Sequence, residues 1–219
     1  ALPWAWGVTI LTNDLIWWVP FAGILYGAFR YHSNPVGEQQ AIPFREAIAL
    51  RRSHRGATLK EISTDTPTLV LFLRHTGCTF CREALAELSV QRSQIEAAGC
   101  GIVLVHLGEN DGEEFFAKYN MQDVPRIQDP NCRLYRQFGL DLGGFTELFG
   151  LRVIIRGLIA GLVYGHGRGP ILGNSFQMPG VYLYHNGRIL RGYQHELASD
   201  RPSYVALARQ APSMVPQNA

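Results

Sequence analysis

From Thr58 onward the apolar and polar positions follow two alternating patterns. TLVLFL (68–73) is an unbroken β-rich apolar run, the mark of a strand covered on both faces. CREALAELSVQRSQIEAA (81–98) then sets Ala84, Leu85, Leu88 and Ile95 at helical spacing among strong helix formers, and Gly99 and Gly101 end that helix. GIVLVHL (101–107) predicts a second buried strand, GEEFFAKYN (112–120) a short helix and RIQ (126–128) a short strand. DPNCRLYRQFGL (129–140) predicts a helix with Asp129 as N-cap and Pro130 in its first turn. VYLYH (181–185) and RILRGYQ (188–194) flank Asn186-Gly187, a strong hairpin signal, and PSYVALARQ (202–210) closes with a helix.

The N-terminal stretch has a different texture. Residues 1–29 hold one charged side chain, Asp14, and Leu15–Phe29 hold none. Fifteen residues fall short of the roughly 20 that a spanning helix needs, and Pro20 would kink it. Trp4, Trp6, Trp17 and Trp18 are the amphipathic rings found at headgroup level. Residues 1–30 are therefore expected to be a hydrophobic, membrane-associated segment, the alternative being a hairpin packed on a soluble domain. The polar residues 31–44, with Pro35 and Gly37, read as a linker. Arg30, Arg45, Arg51, Arg52 and Arg55 against Glu38 and Glu46 place the domain beyond the linker on the cytoplasmic side, soluble cytoplasmic being the alternative. With Ala1 rather than methionine at its start, the chain is expected to be processed or cut from something longer.

A second apolar stretch lies within residues 144–173. FTELFGLRVIIRGLIAGLVYG has Arg152 and Arg156 inside it, which argues against a span. It is expected to be an inserted amphipathic helix that covers one edge of the sheet or lies on a bilayer, its arginines on the wet face.

Composition narrows the class. Of 219 residues 47% are hydrophobic and 17% charged, which excludes disorder, and 20 Lys+Arg against 18 Asp+Glu leave +2, no footprint for nucleic acid. Four cysteines are too few for a disulfide-stapled scaffold, so their spacing carries the information.

Two of them, Cys78 and Cys81, form a Cys-x-x-Cys motif where a buried strand gives way to a long helix. A thiolate at a helix N-terminus faces unpaired N–H groups and the positive end of the dipole, so Cys78 is expected to ionise below the ordinary thiol range. Cys78 is the expected nucleophile and Cys81 the resolving thiol, with Thr79 and Phe80 between them as accessory residues. Arg74 and His75 can add positive charge, although strand alternation lets only one of them face the turn. Two other readings stand beside this one, half a zinc site and a pair of inert core cysteines; zinc would need two more ligands, and Cys100 and Cys132 are single and read as core.

Strand, helix, strand, helix, antiparallel hairpin and final helix is the order of a thioredoxin-like α/β domain, a central mixed sheet flanked by helices, here over 45–210 with a tail at 211–219. In such domains a cis-proline precedes the hairpin's first strand and faces the motif. Pro179 of QMPGVYLY stands at that place, and the expectation is a cis bond with a backbone edge open to substrate; a trans proline starting an edge strand is the alternative.

LVLFLRHTGCTFCREALAEL, DPNCRLYRQFGLDLGG and GNSFQMPGVYLYHNGRIL together resemble the peroxiredoxin-like proteins of the alkyl hydroperoxide reductase/thiol-specific antioxidant superfamily, nearest to redox proteins related to selenoprotein L. The resemblance runs from Arg45 to Ala208. It implies a thioredoxin-like fold and a redox centre at Cys78 and Cys81 with Pro179 at the cis-proline position. Peroxiredoxins proper carry a threonine three residues before the peroxidatic cysteine and an arginine near the cis-proline; here His75 and Met178-Pro179 stand instead. Without those groups to polarise a peroxide O–O bond, the leading expectation is a thiol-disulfide oxidoreductase. A peroxiredoxin-like thiol peroxidase, acting as an antioxidant with Arg74 as the one arginine preceding Cys78 within the motif, comes second, and a non-catalytic redox-sensing or interaction module third. The substrate is expected to be a protein or small-molecule disulfide or a peroxide, with a thiol electron donor, the membrane as a partner through residues 1–30, and no cofactor, metal or nucleic acid.

Overall fold

Leu69, Leu71 and Leu73 face one side of a central sheet while Val70 and Phe72 face the other, and helices cover both sides. This two-sided burial is why the run 68–73 is continuous rather than alternating. The computed structural model describes residues 43–110, 112–163, 165 and 174–211. The expected membrane-associated segment 1–30, the linker as far as residue 42 and the tail from 212 lie outside the described residues.

The described residues begin with helices α1 (Phe44–Leu50) and α2 (Leu59–Ile62), before strand β1 (Thr68–Phe72) and the long helix α3 (Thr79–Ala97). Next come β2 (Gly101–His106), α4 (Glu113–Ala117), β3 (Arg126–Gln128) and α5 (Arg133–Gln137). The insertion forms α6 (Phe145–Phe149) and α7 (Leu151–Leu158), the latter running on as a π-helical turn, Ile159–Val163. Strands β4 (Gly180–His185) and β5 (Arg188–Gln194) and helix α8 (Tyr204–Ala208) complete the fold. The sheet order is β3-β2-β1-β4-β5, with β1, β2 and β3 parallel and β4 antiparallel to both β1 and β5. This is a mixed sheet flanked by helices. Asn186 and Gly187 turn the hairpin with φ of 43° and 81°, the left-handed pair that suits its twist.

Leu85, Leu88 and Ile95 of α3 pack on the face of Leu69 and Leu71, joined by Tyr204 and Ala208 of α8 and by Val153 of α7. Ile48, Leu59, Leu134 and Tyr135 cover the opposite face. Cys100 is buried on the first side and Cys132 on the second, and burial pushes their thiols up to about 11 and about 12.

Several elements differ from the pattern expected of the sequence. Helix α1 precedes the region where regularity was expected, and α2 lies at its start, ahead of the first expected strand. Helix α2 is held by a capping box, in which Glu61 N–H donates to Thr58 Oγ1 (3.2 Å) and Thr58 N–H donates to Glu61 Oε2 (2.7 Å). Asp129 and Pro130 form a turn rather than the first turn of a helix, because α5 starts only at Arg133; Asp129 Oδ2 still caps it by accepting from Leu134 N–H at 2.7 Å. Arg51, one of the arginines behind the expected cytoplasmic orientation, lies 3.3 Å from the buried Asp129 carboxylate and so has a structural task.

Helix α7 divides its two arginines, Arg152 lying on the wet face as expected and Arg156 only partly so. Arg152 is exposed, but Arg156 turns inward to Glu83 of α3 at 2.7 Å, while Leu151, Ile154, Leu158, Leu162 and Val163 face outward. The contact is part-buried, the Arg156 side chain being 35% exposed and that of Glu83 11%, and it gives the largely buried Glu83 a second counter-charge beside Arg201. Among the described residues no helix is long and apolar enough to cross a membrane.

Candidate redox site

Cys78 is the N-cap of α3 and Cys81 stands in its first turn. Nineteen residues of helix thus direct their N-terminal dipole at Cys78. The turn is closed by Cys78 N–H donating to the His75 carbonyl (2.9 Å) and by Cys81 and Arg82 N–H donating to the Cys78 carbonyl (3.1 and 3.2 Å). Both cysteines are reduced and buried.

Two donors of Arg74 reach the two sulfurs: Arg74 Nη1 lies 3.5 Å from Cys78 Sγ, and the Arg74 backbone N–H donates to Cys81 Sγ at 3.2 Å. The hydrogen bond from Cys81 is the largest influence holding Cys78 well below the ordinary thiol range; the Arg74 charge and the N–H groups of Cys81 and Phe80 add to it against the opposing effect of burial. Cys81 moves the other way, since its proton is held in that bond and burial disfavours its charge. The two thiols are thus shifted in opposite directions, Cys78 down and Cys81 up.

Arg74 is 6% exposed. Its Nη2 donates to the Ser175 carbonyl, its Nε has no partner, and it makes no ion pair with a carboxylate among the described residues. A buried guanidinium without a counter-ion is costly, and the Cys78 thiolate is the negative charge beside it. His75 contributes no charge: burial first and Arg74 second push it down to about 4, so it is neutral at pH 7. Thr79 is half-buried in the first turn. Phe80 is buried, with its carbonyl accepting from Arg201 Nη2 and the Arg201 guanidinium 5.8 Å from its ring centroid.

The Met178–Pro179 bond is trans, as is every peptide bond among the described residues, which corrects the expected cis bond. The approach to β4 is anchored in extended form: Met178 N–H donates to the Asp141 carbonyl at 3.2 Å and Gln177 Nε2 to the Leu140 carbonyl at 2.8 Å. Pro179 is buried, and it lines a small cavity beside Cys81 rather than presenting an open edge.

Sequence patterns leave three supporting residues unmarked. Tyr135, fully buried, donates its hydroxyl to the Leu73 carbonyl and fixes the chain just before Arg74. Glu83 accepts from Arg156 at 2.7 Å and Arg201 at 3.0 Å, pinning the insertion and the segment before α8 to the start of α3. His195 lines the cavity beneath Cys81. Of these, Glu83 alone carried a legible signal, as an acidic residue two positions past the motif on the helix face that carries Phe80.

A mixed sheet of this order, with a dithiol at the N-terminus of its first long helix, defines a thioredoxin-like α/β protein. Known proteins agree on the fold. The bacterioferritin comigratory protein of Xanthomonas campestris, described for its alkyl peroxide reduction activity, aligns with a TM-score of 0.50 and 16% identity over 74% of this chain and 88% of its own. A cysteine-to-serine variant of peroxiredoxin 6 from Arenicola marina aligns with a TM-score of 0.54 and 9% identity, covering 78% and 69%. The thioredoxin-like protein AAED1, chloroplastic, of Arabidopsis thaliana is 29% identical over 77 residues, 35% of this chain. The chain spans about a third of the length of that curated relative, 31%. No family model matches the chain.

Proposed function

We propose that this protein is a thiol-disulfide oxidoreductase in which the Cys78 thiolate attacks a disulfide substrate and Cys81 resolves the mixed disulfide. The observation that carries this reading is the division of the pair: Cys78 faces a helix N-terminus and a buried Arg74 guanidinium that has no carboxylate partner among the described residues, which favours its ionised form, while burial and the bond to Cys78 shift the Cys81 thiol upward. In dithiol exchange the two roles need that division, because the attacking sulfur must be ionised and the resolving one must wait until the mixed disulfide exists. A thiol donor then restores the dithiol. The test is turnover of a protein disulfide by the reduced chain beside its Cys78→Ser variant; equal turnover by both would overturn the reading.

Peroxide reduction is the second reading, and one observation favours it. Arg74 Nη1 stands 3.5 Å from Cys78 Sγ, so a guanidinium donor is present at the sulfur although the positions before Cys78 and at Pro179 lack the family's threonine and arginine. The fold shared with the Xanthomonas protein is compatible with it. The narrower likeness to selenoprotein L-related proteins remains a proposal from the motif residues alone.

A further inference from the structure

Helix α7 and the π-helical turn that extends it have two faces with opposite commitments. Val153 and Ala160 belong to the buried cluster of Cys78 and Cys81, and Gly157 lies against Phe80, a Cβ at that glycine falling 3.5 Å from the ring. Arg156 pairs with Glu83 beside them. The face turned to the domain is therefore fully used. On the other side Leu151, Ile154, Ile155, Leu158 and Leu162 recur at i, i+3, i+4, i+7 and i+11, and each is 49% exposed or more. One exposed leucine needs no explanation, whereas a continuous stripe of this kind marks an interaction surface.

Charge says what the stripe meets. Between Glu147 and Glu196 the sequence holds Arg152, Arg156, Arg168, Arg188 and Arg191 and neither Asp nor Glu. At 3.6 residues per turn, Arg152 and Arg156 stand at the boundary between the apolar stripe and the face turned to the domain. An arginine in that place lays its stem along apolar surface and sets its guanidinium beside phosphate. We propose that α7 is a membrane-docking helix, whose apolar stripe lies in the headgroup region of an anionic bilayer with Arg152 on the lipid phosphates.

A second copy of the chain fits the same stripe less well. A two-fold contact sets one carboxylate-free cationic run against the same run of its partner, and like charges then face each other where water is excluded. A bilayer supplies the opposite charge and takes up an apolar helix face without a matching shape. Docked in this way, α7 stands between the lipid and the dithiol, at roughly one helix diameter (10–12 Å) from bilayer to Cys78 and Cys81. The contact is separate from any that residues 1–30 make, and its test must tell the two apart.

The full chain carrying Cys78→Ser and Leu162→Cys takes a nitrobenzoxadiazole label at position 162, because the remaining thiols are buried. A second protein carries the label through Lys60→Cys, an exposed position on α2 across the sheet from α7. With vesicles of mixed phosphatidylcholine and phosphatidylglycerol, the label at 162 is expected to shift to the blue and to be quenched by brominated acyl chains, while the label at 60 does neither. Added Leu158→Glu, an exposed position whose change leaves the core intact, is expected to lower the vesicle affinity read at 162 by about tenfold or more. Raised salt and vesicles of phosphatidylcholine alone should also weaken the response. Absence of quenching at 162 in protein that floats with the vesicles would assign the binding to another segment and overturn the inference. Equal quenching at 60 and 162, no binding to vesicles at all, an undiminished response in Leu158→Glu or with phosphatidylcholine alone, or a blue shift that grows with protein concentration without vesicles would each do the same, the last by showing a second copy on the stripe. Should a labelled protein fail to fold, hydrogen exchange of the wild type decides: slowing over residues 151–163 with the anionic vesicles is expected, and no slowing there overturns the proposal.

Discussion

The Arg74 guanidinium and the Cys78 sulfur, four residues apart in sequence, meet at 3.5 Å in a buried site where Arg74 has no carboxylate partner among the described residues. Each is the other's compensation, because a lone buried charge of either sign is unfavourable. Replacing Arg74 by Met is therefore expected to raise the Cys78 pKa toward the free-thiol value and to slow its alkylation at pH 6 by about tenfold or more, roughly one unit of pKa or 1.4 kcal/mol. Arg74→Lys should lose less. Iodoacetamide rates across pH check this, and superimposable profiles for wild type and Arg74→Met would contradict it.

The two thiols should differ in kind. Mass mapping after brief alkylation is expected to find Cys78 modified first, with Cys81, Cys100 and Cys132 slow, since each of these three is shifted upward. Cys78→Ser should lose turnover, and Cys81→Ser should accumulate mixed disulfides with substrate. Faster labelling of Cys81 than of Cys78 would reverse the assignment.

Peroxide should be a poor substrate relative to disulfides. His75 is neutral and no arginine stands beside Pro179, so Arg74 alone is left to polarise the O–O bond. Stopped-flow consumption of peroxide by the reduced chain is expected to be orders of magnitude below about 10⁶ M⁻¹s⁻¹, a value within the enzymatic range. A constant at that level would show that Arg74 suffices, and Arg74→Lys, which keeps the charge but loses the planar fork, would then lower it.

Glu83 joins three parts of the molecule through Arg156 and Arg201. Glu83→Gln leaves two guanidinium groups short of a charged acceptor, and a loss of about 1–3 kcal/mol is expected in urea unfolding. Hydrogen exchange should rise most over residues 149–163, which Arg156 tethers. A uniform change across the chain would mean that the carboxylate does not serve as this tether.

Acid stability should reflect two histidines. His75 and His195 are pushed down to about 4 in the folded protein against 6.5 for an ordinary histidine. Between these values the unfolded chain binds more protons, so stability is full above pH 6.5 and is lost as pH falls toward 4. The largest effect is about 3 kcal/mol for each residue. Denaturation midpoints at pH 4.5 and 7 in wild type and His75→Asn measure one share of it. An equal pH dependence in both proteins would show that His75 titrates as a free histidine.

Local pattern carried the strands well. The odd and even positions of TLVLFL fill opposite faces, and Asn186-Gly187 makes its hairpin, because strand periodicity and turn dihedrals are properties of neighbouring residues. The Cys-x-x-Cys motif at a strand-to-helix junction was legible for the same reason, since the helix dipole belongs to the segment that carries the sulfurs. Helix α2 was equally local, its Thr58 and Glu61 being a capping-box pair within four residues, although hydrophobic periodicity does not reveal so short a helix.

What tertiary structure alone decided lies across distances that periodicity does not reach. Whether Arg74 or His75 would carry the charge depended on the Ser175 carbonyl, 101 residues away, and on burial that neutralises His75. The ion pair of Arg156 depended on Glu83, 73 residues earlier, and with it Leu151, Ile154 and Leu158 of α7 are left exposed. The trans bond before Pro179 depended on anchors at Leu140 and Asp141. Pairing between a buried charge and its partner is set by which elements the sheet order brings together, and a single sequence records the residues but not that meeting.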